Sequence, residues 1–252
     1  MKYFASSAKN VVFQRGVNME IREKVIARNK IFSMLGFIGS LLFMTGDCLL
    51  YCEDGLSVTS YEPLWSVMPE WRFIVSAVLG FVGMSLMLPA CVSFYRMIAE
   101  TCGKFMRILV NFGFIGVAST GYLHFSIGSL LPITCHAIIG NGGTAELAEK
   151  VCLHWSEVIS PVNFALIGFL SIMYIVHFYV TVSGRSGLHR LTCLVGITGT
   201  FAVGMIWKLI FGSTAVGGAW CACESFGEGL TYLTTYFYWK KAVNSKHNQI
   251  QN

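Results

Sequence analysis

Charged residues and proline are both scarce in this chain. Only 12% of its 252 residues are Asp, Glu, Lys or Arg, and only five are proline. A typical soluble domain has roughly 25% charged residues. Because 54% of the residues are hydrophobic, the few charges cannot cover a water-facing surface. This composition excludes an ordinary soluble domain and a Pro-rich linker, and it favours a chain whose solvent is lipid.

Several motifs with known chemistry are also absent from the sequence. It contains no G-x-x-x-x-G-K-[ST] element, no strand-embedded G-x-G-x-x-G, no His-Glu-x-x-His and no G-x-S-x-G. Each of these patterns places specific backbone or side-chain groups around a phosphate, a zinc ion or a serine nucleophile. A nucleotide site, a local zinc-protease site and a serine-hydrolase nucleophile are therefore not predicted. Nucleic acid is not a predicted partner either, because membrane topology explains the basic residues of the N-terminal arm.

Long hydrophobic runs are abundant. A helix needs about 20 mostly apolar residues to cross a bilayer core about 30 Å thick. Six runs meet this requirement: Ile31–Tyr51, Phe73–Met97, Phe105–Pro132, Pro161–Val182, Leu191–Phe211 and Trp220–Trp239. The sequence predicts an all-α, polytopic bundle of six transmembrane helices. It divides into a basic arm at 1–30 that includes an amphipathic segment suited to a membrane surface, a membrane domain at 31–239 and a tail at 240–252.

The Lys and Arg residues predict the orientation of this bundle. All of them except Arg72, Lys150 and Lys208 lie in the N-terminal arm, near the second and fourth connections, or in the tail. The first and third connections are acidic instead. Because cytoplasmic loops carry an excess of Lys and Arg, we predict a multi-pass protein of the cell membrane with both termini in the cytoplasm.

This orientation collects the intramembrane charges in one outer layer. Asp47, His124 and Lys208 lie in the outer halves of the first, third and fifth predicted helices. Glu224 and Glu228 open the sixth. A charge in lipid is costly unless it is paired or faces a water-filled cavity. We therefore expect these five residues to line a ligand or proton-transfer pocket, with Lys208 paired to a glutamate. A purely structural ion pair is the competing interpretation.

The outer histidines permit a metal site. His124, His136 and His154, with Asp47, would supply three nitrogen ligands and one oxygen ligand, a set that zinc accepts. A zinc-bound water could then attack an ester or amide bond in a lipid. Histidines near helix ends also serve as hydrogen-bonding or interfacial residues, and no local ligand spacing selects between the two interpretations.

Six of the nine cysteines lie near the predicted outer face: Cys48, Cys52, Cys135, Cys152, Cys221 and Cys223. Disulfides persist outside the reducing cytoplasm, so we expect at least one bridge. Cys135 could pair with Cys152, and Cys52 with either Cys221 or Cys223. The alternative is that these residues are small apolar side chains at helix ends.

Three functions remain open on the sequence. The leading prediction is an outward-facing pocket that binds a small or amphipathic, lipid-like ligand. The alternatives are an intramembrane enzyme, either a metal-assisted lipid hydrolase or a proton-transfer isomerase, and a proton-coupled transporter of small molecules. Transport needs polar residues in the inner half of the bundle, where Asn111 and His177 are the main ones. Membrane lipid and the ligand are the predicted partners, and the oligomeric state is left open.

Three stretches of sequence carry a resemblance to a known family: GFIGSLLFMTGDCLLY at Gly36–Tyr51, PEWR at Pro69–Arg72 and GYLH at Gly121–His124. They resemble a family of bacterial six-helix membrane proteins known only as a domain of unknown function. The resemblance covers the chain from about Ile31 to Trp239. It implies that Asp47 and His124 are polar positions of the family, and it implies a fold without a reaction. The seven-helix ceramidase-like hydrolases are a more distant likeness, from which this chain departs in span count and histidine spacing.

Overall fold

The regular secondary structure in the described part of the computed structural model is helical. The backbone is described for residues 2–54 and 68–250, and the side chains for residues 20, 22–54 and 68–242. No β-strand occurs within these ranges. The predicted all-α fold is therefore confirmed.

The helices follow one another with short connections. In chain order they are α1 (Lys2–Tyr51), α2 (Glu70–Thr101), α3 (Lys104–Phe125), a π-helical turn (Ser126–Leu130), α4 (Leu131–Gly140), α5 (Ala145–Val182), a 3-10 turn (Arg190–Leu194), α6 (Ile197–Phe211), α7 (Ala215–Gly218), a second 3-10 turn (Ala219–Ala222) and α8 (Cys223–Ile250). Helix α1 continues through residue 30 without a break. The boundaries between arm, membrane domain and tail, and a surface location for the arm, stay predictions.

Four of the helical segments are long and apolar enough to cross a membrane. They are Arg22–Tyr51, Glu70–Thr101, Lys104–Gly140 and Ala145–Val182. The third of these is continuous because α3 passes through the π-helical turn into α4. The first four predicted spans therefore correspond to helices of suitable length and hydropathy.

The fifth and sixth predicted spans differ from the structure for separate reasons. The fifth is split at Gly196, whose extended backbone (φ −78°, ψ −171°) leaves α6 with 15 residues. At 1.5 Å per residue that is about 22 Å, shorter than a bilayer core of about 30 Å. Helix α8 is long enough, but it carries buried Glu228, Thr231 and Thr235, so its composition is less apolar.

Glycine allows neighbouring helices to approach closely. A Cβ atom on Gly39 of α1 would lie 2.5 Å from the carbonyl oxygen of Gly83 on α2. A Cβ atom on Gly116 of α3 would lie 2.1 Å from the backbone nitrogen of Leu170 on α5. Small residues let helix backbones meet in this way where lipid supplies no hydrophobic driving force. The helices pack mainly as α1 on α2 and α8, α3 on α5 and α2, and α6 on α8.

The outer surface of the bundle is unusually apolar. Leu209 is 81% exposed, Phe81 75% and Phe164 73%, and many other large hydrophobic side chains face outward. Soluble monomers rarely expose contiguous apolar surface of this extent. The interior, in contrast, holds Asp47, His124 and Glu228. Apolar side chains outside with charged groups inside are the arrangement of a membrane protein.

Arg72 fixes the end of α1 that carries the site. Its Nε donates to the carbonyl of Leu49 at 2.8 Å, and its guanidinium also donates to the carbonyl of Cys52 at 3.0 Å and to the carboxylate of Glu53. The last carbonyls of a helix lack intrahelical partners. Arg72, from the first turn of α2, satisfies them and therefore holds the C-terminal turns of α1 against α2.

Candidate functional site

A buried carboxylate and a buried imidazole meet between α1 and α3. Asp47 Oδ1 lies 3.2 Å from Nδ1 of His124, and both residues are 7% exposed. The other oxygen of Asp47 accepts a hydrogen bond from Ser225 Oγ of α8 at 2.5 Å. Asp47 therefore joins three helices, and its pair with His124 offsets the cost of burying a charge.

The partners of His124 determine where its protons lie. Nε2 is 3.0 Å from the carbonyl oxygen of Ser76, which can only accept, so Nε2 carries a proton. Ser76 Oγ, 2.8 Å from Nε2, donates its own proton to the carbonyl of Gly46. Nδ1 faces a carboxylate oxygen of Asp47. A second proton must therefore lie between Nδ1 and Asp47, and the two groups share it.

Two glycines make room for this imidazole. A Cβ atom on Gly80 would lie 2.4 Å from Cδ2 of His124, and one on Gly46 would lie 3.2 Å from Nε2. Phe43 covers the ring, with 4.5 Å between the two centroids. A side chain at position 80 would therefore displace the ring, and one at position 46 would crowd it.

The second pair of acids lies on α8, one turn apart. Tyr174 of α5 donates a hydrogen bond to Oε1 of Glu228 at 3.0 Å, and its hydroxyl lies 3.4 Å from Oε1 of Glu224. Glu228 is only 2% exposed. Oε2 of Glu228 accepts no hydrogen bond from any residue that the structure describes. The Tyr174 hydroxyl therefore lies within hydrogen-bond distance of two carboxylates, and Oε2 of Glu228 receives no donor from the described residues.

These residues surround one cavity of about 360 Å³, a size within the range of small-molecule pockets. Its ionisable side chains come from α1, α3 and α8. Its aliphatic and aromatic side chains come mainly from α1, α3, the π-helical turn, α5 and α6. Its lining includes Asp47, His124, Glu224, Ser225, Glu228, Leu123, Ile127, Ile167, Leu170 and Phe201. The cavity wall therefore combines ionisable groups with aliphatic and aromatic ones.

Four of the five predicted pocket residues line this cavity, and Lys208 does not. Lys208 forms no ion pair with Glu224 or Glu228 within 4 Å, so the predicted pair is wrong. Depth along a helix says nothing about the direction in which a side chain leaves it. Lys208 lies on α6, the helix whose surface is mostly exposed, and its side chain is partly exposed.

The predicted metal ligands are not assembled. Among the described side chains, no group of three or more His, Cys, Asp or Glu residues is arranged to hold a metal ion. Only Asp47 and His124 are in contact. His136 packs instead on the ring of Phe73, at 5.6 Å between centroids, and His154 is exposed. The described residues therefore provide no assembled ligand set for the predicted zinc ion.

The predicted disulfides are also not formed. All nine cysteines lie in the described part of the chain, and no disulfide joins any of them. Cys135 and Cys152, the predicted loop clip, are buried in an apolar cluster with Leu50 and Phe73. Cys152 Sγ donates to the carbonyl of Leu131 at 3.5 Å. Cys48, Cys52, Cys221 and Cys223 likewise remain thiols. The alternative interpretation, small apolar side chains near helix ends, accounts for the buried pair.

Three contributors to the site were not predicted: Ser76, Tyr174 and Ser225. Uncharged hydroxyls cost little inside an apolar helix, so their presence in a span attracts no attention. Ser225 had one available signal, its position between the two glutamates of α8. For Ser76 and Tyr174 the sequence offers no signal, because their role depends on which neighbouring helix they face.

The half of the bundle away from the cavity, which is the predicted inner half, also holds more polar groups than the sequence indicated. Thr231, Thr234 and Thr235 of α8 are buried, and Nε2 of His177 lies 3.0 Å from Oγ1 of Thr234. Asn111, in contrast, is exposed. The scarcity of inner polar residues therefore no longer argues against transport, which stays a prediction.

Together, these features define a class: an all-helical protein of the membrane type, with a buried acid–histidine pair and a second pair of acids around one cavity. Residues 18–242 match a family of unknown function (DUF6796), and the chain belongs to that family. The resemblance to an uncharacterised family is confirmed in this respect, while a bacterial origin stays a prediction. No curated protein and no solved structure matches the chain.

Proposed function

We propose that this protein crosses the cell membrane six times, with both termini in the cytoplasm, and binds an amphipathic, lipid-like ligand in its outward-facing cavity. The observation that carries the proposal is the composition of the cavity wall. Carboxylates and an imidazole line the cavity together with aliphatic and aromatic side chains. A ligand with a polar head and a hydrocarbon chain matches both kinds of lining side chain at once.

The position of the cavity supports an outward opening. Asp47 lies one turn before the end of α1, and Glu224 is the second residue of α8. The end of α1 leads into the acidic first connection, and the start of α8 follows an uncharged segment at 212–222. The opposite ends of both helices adjoin basic residues. The positive-inside rule then assigns the cavity to the outer half of the membrane. Reporter fusions at both termini test this topology, because each must report a cytoplasmic location.

The exposed apolar residues of the cavity wall support entry of the ligand from the lipid. Ile167 of α5 and Phe201 of α6 line the cavity, yet they are 46% and 48% exposed. Helix α6 packs mainly on α8 and touches α5 only slightly. The cavity is therefore open to the side between α5 and α6, where a hydrocarbon chain can enter without passing through water.

The experiment blocks this lateral opening and leaves the charged wall intact. Protein purified in digitonin, a detergent without an alkyl chain, is photolabelled with dodecanol that carries a diazirine on its chain. Peptide mass spectrometry then locates the label. Ile167→Trp adds bulk at the opening, and Ile175→Trp adds the same bulk on the exposed face of α5 two turns away, outside the cavity.

We expect saturable labelling of peptides that line the cavity in the wild type and in Ile175→Trp, with at least a tenfold loss in Ile167→Trp. Because both positions are exposed, both variants are expected to fold, and their thermal unfolding serves as the check. Labelling that never saturates, or that Ile167→Trp leaves unchanged, would contradict the proposal.

A proton-transfer enzyme is the second candidate, and Oε2 of Glu228 favours it. A buried carboxylate that lines a cavity and has one oxygen without a donor is suited to act as a general base. The test incubates the protein with 2-dodecanone in D2O and measures deuterium uptake beside the carbonyl group. The enzyme candidate requires uptake above the uncatalysed rate that Glu228→Gln abolishes; equal uptake with both proteins contradicts it.

A further inference from the structure

We infer that the ligand of the cavity has a positively charged head group, an ammonium that binds beside Glu228. This inference rests on the proposed function, because it assigns the chemical class of the same ligand. Three features carry it: the charge balance of the wall, the open oxygen of Glu228 and the aromatic side chains that line the cavity.

The charge balance of the cavity wall is negative. Asp47, Glu224 and Glu228 contribute three carboxyl groups, and among the described residues that line the cavity none is Lys or Arg. The one basic side chain, His124, already shares a proton with Asp47 at 3.2 Å. Lys208 forms no pair with either glutamate. A buried carboxylate needs a positive partner or a proton, and the side chains of the wall provide no such partner for the two glutamates.

One carboxylate oxygen of Glu228 accepts no hydrogen bond from the described part of the protein. It is 98% buried, since its exposed fraction is 2%, and Tyr174 donates only to its Oε1. Oε2 has no donor among the described residues, and Glu228 lines the cavity. A primary ammonium carries three N–H donors and forms hydrogen bonds of about 2.7–2.9 Å to a carboxylate. Such a head group would satisfy Oε2 and its charge together.

Aromatic side chains line the same cavity as the acids. Phe43, Tyr51, Phe201 and Trp220 all contribute to the cavity wall, and Trp220 packs edge-on against Phe201 at 6.4 Å between centroids. The faces of Trp, Tyr and Phe attract cations and repel anions. An anionic head group would face both the carboxylates and these rings, so the wall selects against it.

The experiment compares three head groups on one chain length. Dodecylammonium, dodecanoate and dodecanol compete with the diazirine-bearing dodecanol for labelling of the wild-type protein in digitonin at pH 7. An alkyl ammonium stays charged there, because its pKa resembles that of lysine, about 10.4. Glu228→Gln removes the charge from the site. Glu157→Gln, an exposed glutamate of α5 outside the cavity, is the matched control.

We expect dodecylammonium to displace the label at a concentration at least tenfold lower than either other competitor. Glu228→Gln should weaken competition by dodecylammonium at least tenfold and leave competition by dodecanol unchanged. Glu157→Gln should behave like the wild type in both. If dodecanoate or dodecanol competes as well as dodecylammonium, the ammonium inference is overturned and the amphipathic pocket stands. If no saturable labelling of the cavity exists to displace, the proposed function fails and this inference fails with it. The comparison on the wild-type protein does not depend on the folding of any variant.

Discussion

The pair formed by Asp47 and His124 allows a quantitative test by a double-mutant cycle. Each residue is buried, and each makes its charged contact with the other at 3.2 Å. Truncating one partner of a buried pair leaves an uncompensated charge and costs about 3–5 kcal/mol. We expect Asp47→Ala and His124→Ala each to lower the free energy of unfolding by this amount.

The double variant removes both charges, so it should lose less than the sum of the two single variants. Directly coupled residues show interaction energies of about 0.5–3 kcal/mol, and sharing of one proton places this pair towards the upper end, about 2 kcal/mol. The assay is reversible unfolding in mixed micelles. Combining Asp47→Ala with His177→Ala, a buried histidine near the other end of the bundle, is the control and should be additive.

Additive effects of Asp47→Ala and His124→Ala, within about 0.5 kcal/mol, would refute this reasoning. They would mean that the two groups are stabilised by separate partners, such as Ser225 for the carboxylate and Ser76 for the imidazole. The shared proton would then have no energetic consequence, and the acid–histidine pair would not be a unit.

Three further predictions follow from the packing. Gly80→Ala places a methyl group against His124 and should destabilise the protein by about 1–3 kcal/mol. Gly168→Ala, whose new methyl group meets no atom within 4 Å, should not destabilise it. Thermal unfolding compares the two variants, and equal effects would contradict the tight fit around His124. Arg72→Ala removes the donors that hold the end of α1 and should cost about 2 kcal/mol or more; an unchanged unfolding temperature would show that the cap contributes nothing. The denatured protein should take up nine equivalents of a thiol reagent with or without reductant; a lower number without reductant, read by mass spectrometry, would reveal a disulfide.

The layer of acids and histidine could be predicted from the sequence because burial of charge in lipid has few solutions. Asp47 and His124 lie at similar depths on different helices, and both must face inward. The same reasoning failed for Lys208, since a long side chain near a helix end can reach solvent without a partner. It missed Tyr174 because a hydroxyl in an apolar helix signals nothing until its neighbours are known.

The fifth and sixth predicted spans show a similar limit of prediction from hydropathy alone. Hydropathy treats Leu191–Phe211 as one segment, but the backbone is extended at Gly196 and the helix begins only after it. A glycine in an apolar run leaves the composition almost unchanged, so averaging cannot detect this break. In α8 the polar side chains lower the hydropathy, yet they are on the buried face and do not oppose a location in the membrane.

The most direct test of the central claim is an experimental structure of the protein prepared with dodecylammonium in digitonin. The account predicts the amphiphile inside the cavity, with its nitrogen about 2.7–2.9 Å from a carboxylate oxygen of Glu228 and its chain between Ile167 and Phe201. An amphiphile bound only on the outer apolar surface, with none beside Glu228, would contradict the claim that this cavity is a ligand site.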